Sequence, residues 1–251
     1  MKIEKRVVRL VEKKRLSEDY WWFELEFIKE FNFKAGQYVS VKVNETGERR
    51  AYSIASVPGG KKIGLLVDVS PGGVGSKFFE NLKLGDGVEV LGPLGRFVVN
   101  KKGYTFDGFH LGGVRVGTQP PSEEKSLIFV GTGSGIAPLR SMIEDVLQSK
   151  VNDRSVYLVW GMRFEKDLFW QKEFEELERK YKNFKFELTL SKPSENWKGK
   201  KGRVTEVLKE MKRLEDVEFY LCGSSVMVED CVKILTDKGV DEEKIQFEKY
   251  G

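Results

Sequence analysis

The sequence predicts two folds in succession: an antiparallel β-barrel over residues 1–99, then an α/β domain with a five-stranded parallel sheet over residues 125–251. Three observations lead there. Short strand patterns crowd the first half with one helix among them. The second half alternates strand patterns with amphipathic helices. A glycine loop opens that second half directly after an apolar strand, the arrangement that places a helix amino end over a ligand. A chain of 251 residues is long enough to give each part its own core.

In the first half, β-branched and aromatic residues mark strands over residues 5–16, 20–27, 37–43, 51–57, 63–69 and 88–91. Turns at Lys34-Ala35-Gly36, Pro58-Gly59-Gly60 and Leu84-Gly85-Asp86-Gly87 separate several of them. Such spacing suits an antiparallel barrel or sandwich. A short helix over residues 76–82 starts directly after Pro71-Gly72-Gly73-Val74-Gly75. Its unpaired N–H groups and positive dipole end suit a pyrophosphate.

Residues 100–124 form a linker with Gly-Gly-Val-Arg-Val-Gly, Gln-Pro-Pro and the chain's only histidine, His110. The segment reads as a surface hairpin with a proline-containing connection, and His110 as a solvated loop residue.

The second half opens on Ser126-Leu127-Ile128-Phe129-Val130, an apolar run expected of a strand buried on both faces. Gly131, Gly133 and Gly135 follow, where a backbone turns sharply and leaves room for a phosphate. Pro138 sits near the first turn of a helix, and Leu139, Met142, Ile143, Val146 and Leu147 recur at helical spacing. Ile136 stands where the strict dinucleotide fingerprint has its last glycine, so the glycines alone also fit a bare βα turn. Further strands are expected at 156–160, 184–191, 218–222 and 245–248, with helices at 139–148, 171–181, 204–211 and 226–238. That order implies a parallel sheet with helices on both faces.

Composition narrows the function classes. The 43 basic and 39 acidic residues leave a net charge of +4, too small and too scattered for nucleic acid. No run approaches a membrane span, and Met1-Lys2-Ile3-Glu4-Lys5-Arg6 carries no apolar signal segment, so a cytoplasmic location is expected. Cys222 and Cys231 are the only cysteines, too few for an iron–sulfur cluster and without the spacing of a zinc site; no metal is expected.

Six segments, in order, carry a resemblance: Arg50-Ala51-Tyr52-Ser53, Pro71-Gly72-Gly73-Val74-Gly75-Ser76, Leu91-Gly92-Pro93-Leu94-Gly95-Arg96-Phe97, Gly131-Thr132-Gly133-Ser134-Gly135-Ile136-Ala137-Pro138, Trp160-Gly161-Met162-Arg163 and Tyr220-Leu221-Cys222-Gly223. Across nearly its whole length the chain resembles the ferredoxin–NAD(P)H reductase superfamily of flavoproteins. The resemblance implies an FAD-dependent NAD(P)H oxidoreductase, with FMN as the alternative flavin. Arg50 would pair with the flavin pyrophosphate, Tyr52 would lie beside the ring or ribityl chain, and Ser53 would bond the ring's N5. Gly73, Val74, Gly75 and Ser76 would offer amides and a hydroxyl to phosphate, with Ala51, Leu66, Val67 and Thr132 completing the flavin contacts. Gly131, Thr132, Gly133, Gly135, Gly223, Ser224 and Met227 would receive the nicotinamide nucleotide, with Cys222 against the reacting carbon. Tyr250 would stack on the flavin, and Gly251 stands where bacterial relatives often have a second aromatic. Relatives cross the linker in fewer residues, so a flap over the flavin's adenosine end or a dimer contact is a second reading of residues 100–124.

Arg163, Ser191, Lys192 and Arg203 could surround a 2′-phosphate, which favours NADPH; a serine, a basic residue and a proline followed by Trp197 and Gly199 also occur in NADH-using relatives. The expected electron acceptor is a small acidic carrier, ferredoxin or flavodoxin. The alternative is an NADH-dependent reductase component of an oxygenase or a multi-subunit redox complex. A nucleotide-binding interaction module without flavin is the alternative of another class.

Overall fold

The computed structural model describes residues 3–99, 110–111, 114–115, 126–149, 154–212, 214 and 216–250. The first half contains β1 (Glu4–Arg15), β2 (Tyr20–Glu26), β3 (Tyr38–Lys42), β4 (Arg49–Ser53), β5 (Lys62–Asp68), helix α1 (Val74–Asn81) and β6 (Gly87–Leu94). These strands form one antiparallel sheet in the order β4-β3-β6-β1-β2-β5. A bridge between Ile54 and Leu65 links the β4 and β5 ends of that order, so the sheet curls into a nearly closed barrel. Closure covers edges that would otherwise invite pairing with another chain.

Alternation sets the barrel's interior. Val8 and Leu10 on β1, Phe23 and Leu25 on β2, and Val39 and Val41 on β3 all turn inward. Helix α1 is held by Phe79, whose ring meets Phe23 edge-on at 4.7 Å and is fully buried. Truncating such a ring costs about 3–5 kcal/mol, so Phe79→Ala would loosen α1 from the barrel.

Two short strands, β7 (His110–Leu111) and β8 (Val114–Arg115), pair antiparallel with each other. The rest of the predicted 100–124 linker lies outside the described residues.

The second half runs β9 (Ser126–Thr132), α2 (Ile136–Gln148), β10 (Val156–Met162), α3 (Gln171–Lys180), β11 (Phe184–Leu190), β12 (Lys200–Lys201), α4 (Val204–Glu210), β13 (Val217–Ser224), α5 (Ser225–Asp237) and β14 (Ile245–Tyr250). The parallel sheet has the order β12-β11-β10-β9-β13-β14, six strands where the sequence predicts five. The added strand is the two-residue Lys200–Lys201, which carries no apolar pattern and reads from sequence as a turn. Another difference is β4, which ends at Ser53 instead of running on to Val57.

Helices cover both faces. Leu139, Met142 and Ile143 of α2 and Phe174 of α3 pack on one side, while Val207 and Leu208 of α4 and Val228 and Leu235 of α5 pack on the other. Chain order reverses beside β9: β10 to β12 lie on one side, β13 and β14 on the other. Open parallel sheets bind ligands at the carboxyl ends of strands flanking such a reversal. Here those ends are Gly131–Thr132 and Cys222–Ser224, joined in register by Gly131 opposite Cys222.

The halves share one seam. Ala55, Leu66, Phe97 and Val99 of the first half belong to the same buried cluster as α2 and α3. Arg140 of α2 donates to the Ala55 carbonyl at 2.9 Å, pairs with Glu144 at 2.8 Å, and lies over the rings of Trp170 and Trp22 at 4.7 and 5.7 Å. Ser141 donates to the Ser56 carbonyl at 2.6 Å.

Candidate functional site

Two cavities flank the glycine loop. The first, about 600 Å³, is lined by Arg50, Ala51, Tyr52 and Ser53 of β4, Leu66, Gly73–Ser76 at the start of α1, Ser134 of the loop, and Glu248 and Tyr250 of β14. It brings together most of the residues expected at a flavin. Val67 is an exception: it alternates with Leu66 on β5 and turns into the barrel core, 1% exposed. Thr132 is another, since it lines the second cavity only.

Helix α1 begins at Gly73 without a side-chain cap, which leaves its positive dipole end facing the cavity. A Cβ on Gly75 would collide with the Tyr52 hydroxyl, so the close approach of helix and strand requires glycine there. Tyr52 meets Phe79 edge-on at 4.7 Å, and burial pushes its phenol up to about 12. Arg50 is ion-paired with Glu48, and its Nη1 donates to the Arg49 carbonyl at 2.9 Å. Its guanidinium is thus held at the cavity mouth by exposed partners that an anionic ligand can replace.

At the inner end, residues from both halves converge. The Tyr250 hydroxyl donates to Ser53 Oγ at 2.6 Å, and Ser53 Oγ donates to Glu248 Oε2 at 3.2 Å. The Cys222 thiol meets the Tyr250 hydroxyl. Burial holds the Glu248 carboxyl above its usual range, opposed by the hydrogen bond from Ser53. Burial likewise raises the Cys222 thiol and the Tyr250 phenol far above theirs, so both stay protonated. Glu248 is a site residue that no sequence motif singles out. The signal available was its position two residues before Tyr250, which puts both side chains on one face of a terminal strand.

The second cavity, about 410 Å³, is lined by Thr132, Gly133, Arg163, Ser191, Arg203, Ser224 and Met227 among the expected nucleotide residues. Tyr20, Asp167, Thr205 and Asp230 line it as well, and no sequence pattern points to them. Lys192 is exposed outside it, with its N–H donating to the Arg163 carbonyl at 2.9 Å. Gly131, Gly135, Cys222 and Gly223 do not line it either. Gly135 has a structural task, because a Cβ there would strike the Cys222 carbonyl, and its absence lets the loop seat on β13. Ser224 caps α5 by accepting the Met227 N–H at 3.4 Å.

Known proteins resemble this chain in sequence and in fold. A family model described as an oxidoreductase FAD-binding domain matches residues 7–99, and one described as an oxidoreductase NAD-binding domain matches residues 129–233. The chain is 33% identical over 232 residues to a Na(+)-translocating NADH-quinone reductase component of Neisseria gonorrhoeae, covering 86% of this chain and 52% of that protein. It is 34% identical over 236 residues to the same component in Pseudomonas aeruginosa, covering 87% and 52%. The chain thus spans about half the length of these relatives.

Among solved structures, the Amycolatopsis cytochrome P450 reductase GcoB superposes with a TM-score of 0.84 at 26% identity, covering 98% of this chain and 70% of that one. A ferredoxin NADP+ reductase from Neisseria gonorrhoeae with bound FAD and NADP superposes with a TM-score of 0.79 at 22% identity, covering 98% of each, a likeness of fold. Among the described residues no helix is long and apolar enough to cross a membrane.

The first cavity fits an FAD on its own terms. An uncapped helix amino end, the glycine approach at Gly75 and the Arg50 guanidinium suit a pyrophosphate, and the buried hydroxyl of Ser53 suits a ring heteroatom. With an FAD-binding family model over the barrel half and an NAD-binding one over the α/β half, this chain belongs to the ferredoxin–NAD(P)H reductase superfamily and is an FAD- and NAD(P)-binding oxidoreductase.

Proposed function

We propose that this chain is the NADH-oxidising module of a multi-subunit redox complex, with its barrel half holding FAD, its α/β half (residues 125–251) holding the nucleotide, and a partner protein taking the electrons. One observation carries the coupling of the two sites. The same loop borders both cavities, through Ser134 on the flavin side and Thr132 and Gly133 on the nucleotide side. When bound, the flavin supplies hydride acceptance from a nicotinamide and release of electrons one at a time.

The chain's residues do the rest. Arg50 and the amino end of α1 hold the pyrophosphate. Ser53, fixed between Tyr250 and Glu248, presents its hydroxyl to the ring. Glu248, whose carboxyl burial raises above its usual range, accepts the hydrogen bond of Ser53 and fixes that hydroxyl in place. Tyr250 shields the inner end of the cavity from water and yields its place when the nicotinamide enters, while the buried Cys222 thiol backs its hydroxyl.

Support for NADH, over the NADPH that the basic residues alone favour, comes from two sides. The similar proteins are named as NADH-quinone reductase components. In the second cavity Lys192 is missing from the lining, and Asp230 stands with Arg163 and Arg203 as an opposing charge against a 2′-phosphate. The same relatives favour a complex over a free ferredoxin or flavodoxin as the electron acceptor. Buried free thiols at Cys222 and Cys231 suit a reducing cytoplasm.

The test is stopped-flow reduction of the purified FAD-loaded protein by NADH and by NADPH, followed at the flavin bands. The expected result is a kcat/KM at least about tenfold higher with NADH, the equivalent of about 1.4 kcal/mol. Equal or better use of NADPH would reject the NADH assignment, and a protein that purifies without flavin would reject the module reading altogether.

A further inference from the structure

Among the residues lining the nucleotide-side cavity is one with an acceptor for which the described residues supply no donor. Asp167 ends the short turn Glu165–Asp167 after β10, is 8% exposed, and lines the cavity beside Thr132 and Gly133. Its Oδ1 has no hydrogen-bond partner among the described residues. A buried carboxylate oxygen without a donor is costly, and such groups are ordinarily paired. The adjacent Lys166 does not supply the donor, because its ammonium pairs with Glu18 at 2.9 Å.

The surroundings say which part of a ligand belongs there. Asp19, Glu18 and Asp68 from the barrel half act electrostatically on Asp167, and Tyr20, whose phenol is raised by burial and by nearby acids, lines the same end. With only Lys166 of opposite sign, this corner is net negative and repels phosphate. The guanidinium groups of Arg163 and Arg203 also line the cavity and suit the phosphates. What fits against Asp167 is an uncharged, donor-bearing part of the nucleotide, on the side of the cleft that meets the barrel.

We propose that Asp167 is a ligand-binding residue whose free carboxylate oxygen accepts a hydrogen bond from the nicotinamide–ribose half of the bound nucleotide, from a ribose hydroxyl or the carboxamide N–H. This rests on the assignment of the cavity to a nicotinamide nucleotide. Loss of the acceptor weakens NAD+ while leaving a fragment without that half untouched. A merely structural aspartate would affect both alike.

The experiment is calorimetric titration of the FAD-loaded wild type, Asp167→Ala and Asp167→Asn with NAD+, ADP-ribose and AMP, with thermal unfolding and flavin content measured on each. We expect the Kd for NAD+ to rise about tenfold or more in Asp167→Ala, several-fold in Asp167→Asn, and the Kd for AMP to stay constant. If ADP-ribose weakens with NAD+, the donor is a ribose hydroxyl; if it does not, the donor is the carboxamide. Equal weakening of NAD+ and AMP, or no weakening of NAD+, overturns the proposal. Should Asp167→Ala not fold, the isosteric Asp167→Asn makes the same comparison. A wild type that binds none of the three fails the nucleotide assignment itself, and the proposal with it.

Discussion

The flavin-side and nucleotide-side cavities lie on either side of one loop, yet their polar groups are arranged differently. On the flavin side, Tyr250, Ser53 and Glu248 form a continuous hydrogen-bonded chain from two halves of the protein. On the nucleotide side, Asp167 lines the cavity and buries an oxygen that has no partner among the described residues. A site whose groups already satisfy one another holds its geometry before the ligand comes, which favours accurate orientation at the reacting atoms. A site with an open acceptor depends on the ligand to complete it, which suits a molecule that must enter and leave at every turnover.

The largest expected effect breaks the flavin side alone. Replacing Arg50 with Ala removes a charge-assisted contact to pyrophosphate of about 1.5–3 kcal/mol, so the flavin should wash off during gel filtration while AMP binding is unchanged. Full flavin retention would remove Arg50 from the site.

Ser53→Ala cuts the chain at its middle. It should slow flavin reduction by NADH about tenfold or more, near 1.4 kcal/mol in the barrier, with no change in the Kd for NAD+. An unaltered stopped-flow trace would show that the chain does not orient the reacting ring. Cys222→Ala should give a smaller slowing of the same step, since the Cys222 thiol reaches Ser53 through the Tyr250 hydroxyl.

Glu248→Gln is the finest probe. Burial raises the folded-state pKa of Glu248 above its usual 4.5. Between the unfolded and folded values the folded protein holds more protons, so this group's contribution is fully present below 4.5 and is lost as pH rises through the raised value. The variant should therefore show a thermal midpoint that falls less steeply than wild type over that window. Parallel profiles would mean that Glu248 titrates normally.

The fold was legible because its signals are local. The glycine loop, the apolar strand before it and the spaced Leu139, Met142 and Ile143 all sit within one stretch of chain, and periodicity reports them directly. The strand β12 escaped because two lysines carry no apolar pattern; they join β11 through backbone pairing and the ion pair of Lys200 with Glu187 at 2.8 Å. The flavin-side residues of β4 and α1 were found through motif, whereas Glu248 joins them only by tertiary contact, 195 residues from Ser53. Asp167 lay in a charged run, Glu165-Lys166-Asp167, that reads as solvated surface; its burial follows from the packing of Tyr20 on Phe169, at 4.7 Å between rings from opposite halves. No sequence pattern encodes such a meeting.

Arg140 and Ser141 extend one lesson beyond the cavities. The helix that carries them starts at the glycine loop, and the carbonyls they grip, Ala55 and Ser56, come directly after the strand that ends at Ser53. Each site is thus tied to the other by a strut only a few residues long. The span between donor and acceptor is set by that strut, not by the long connection through residues 100–124. Lengthening or trimming the connection should leave the span alone, whereas a single change at Arg140 would alter it.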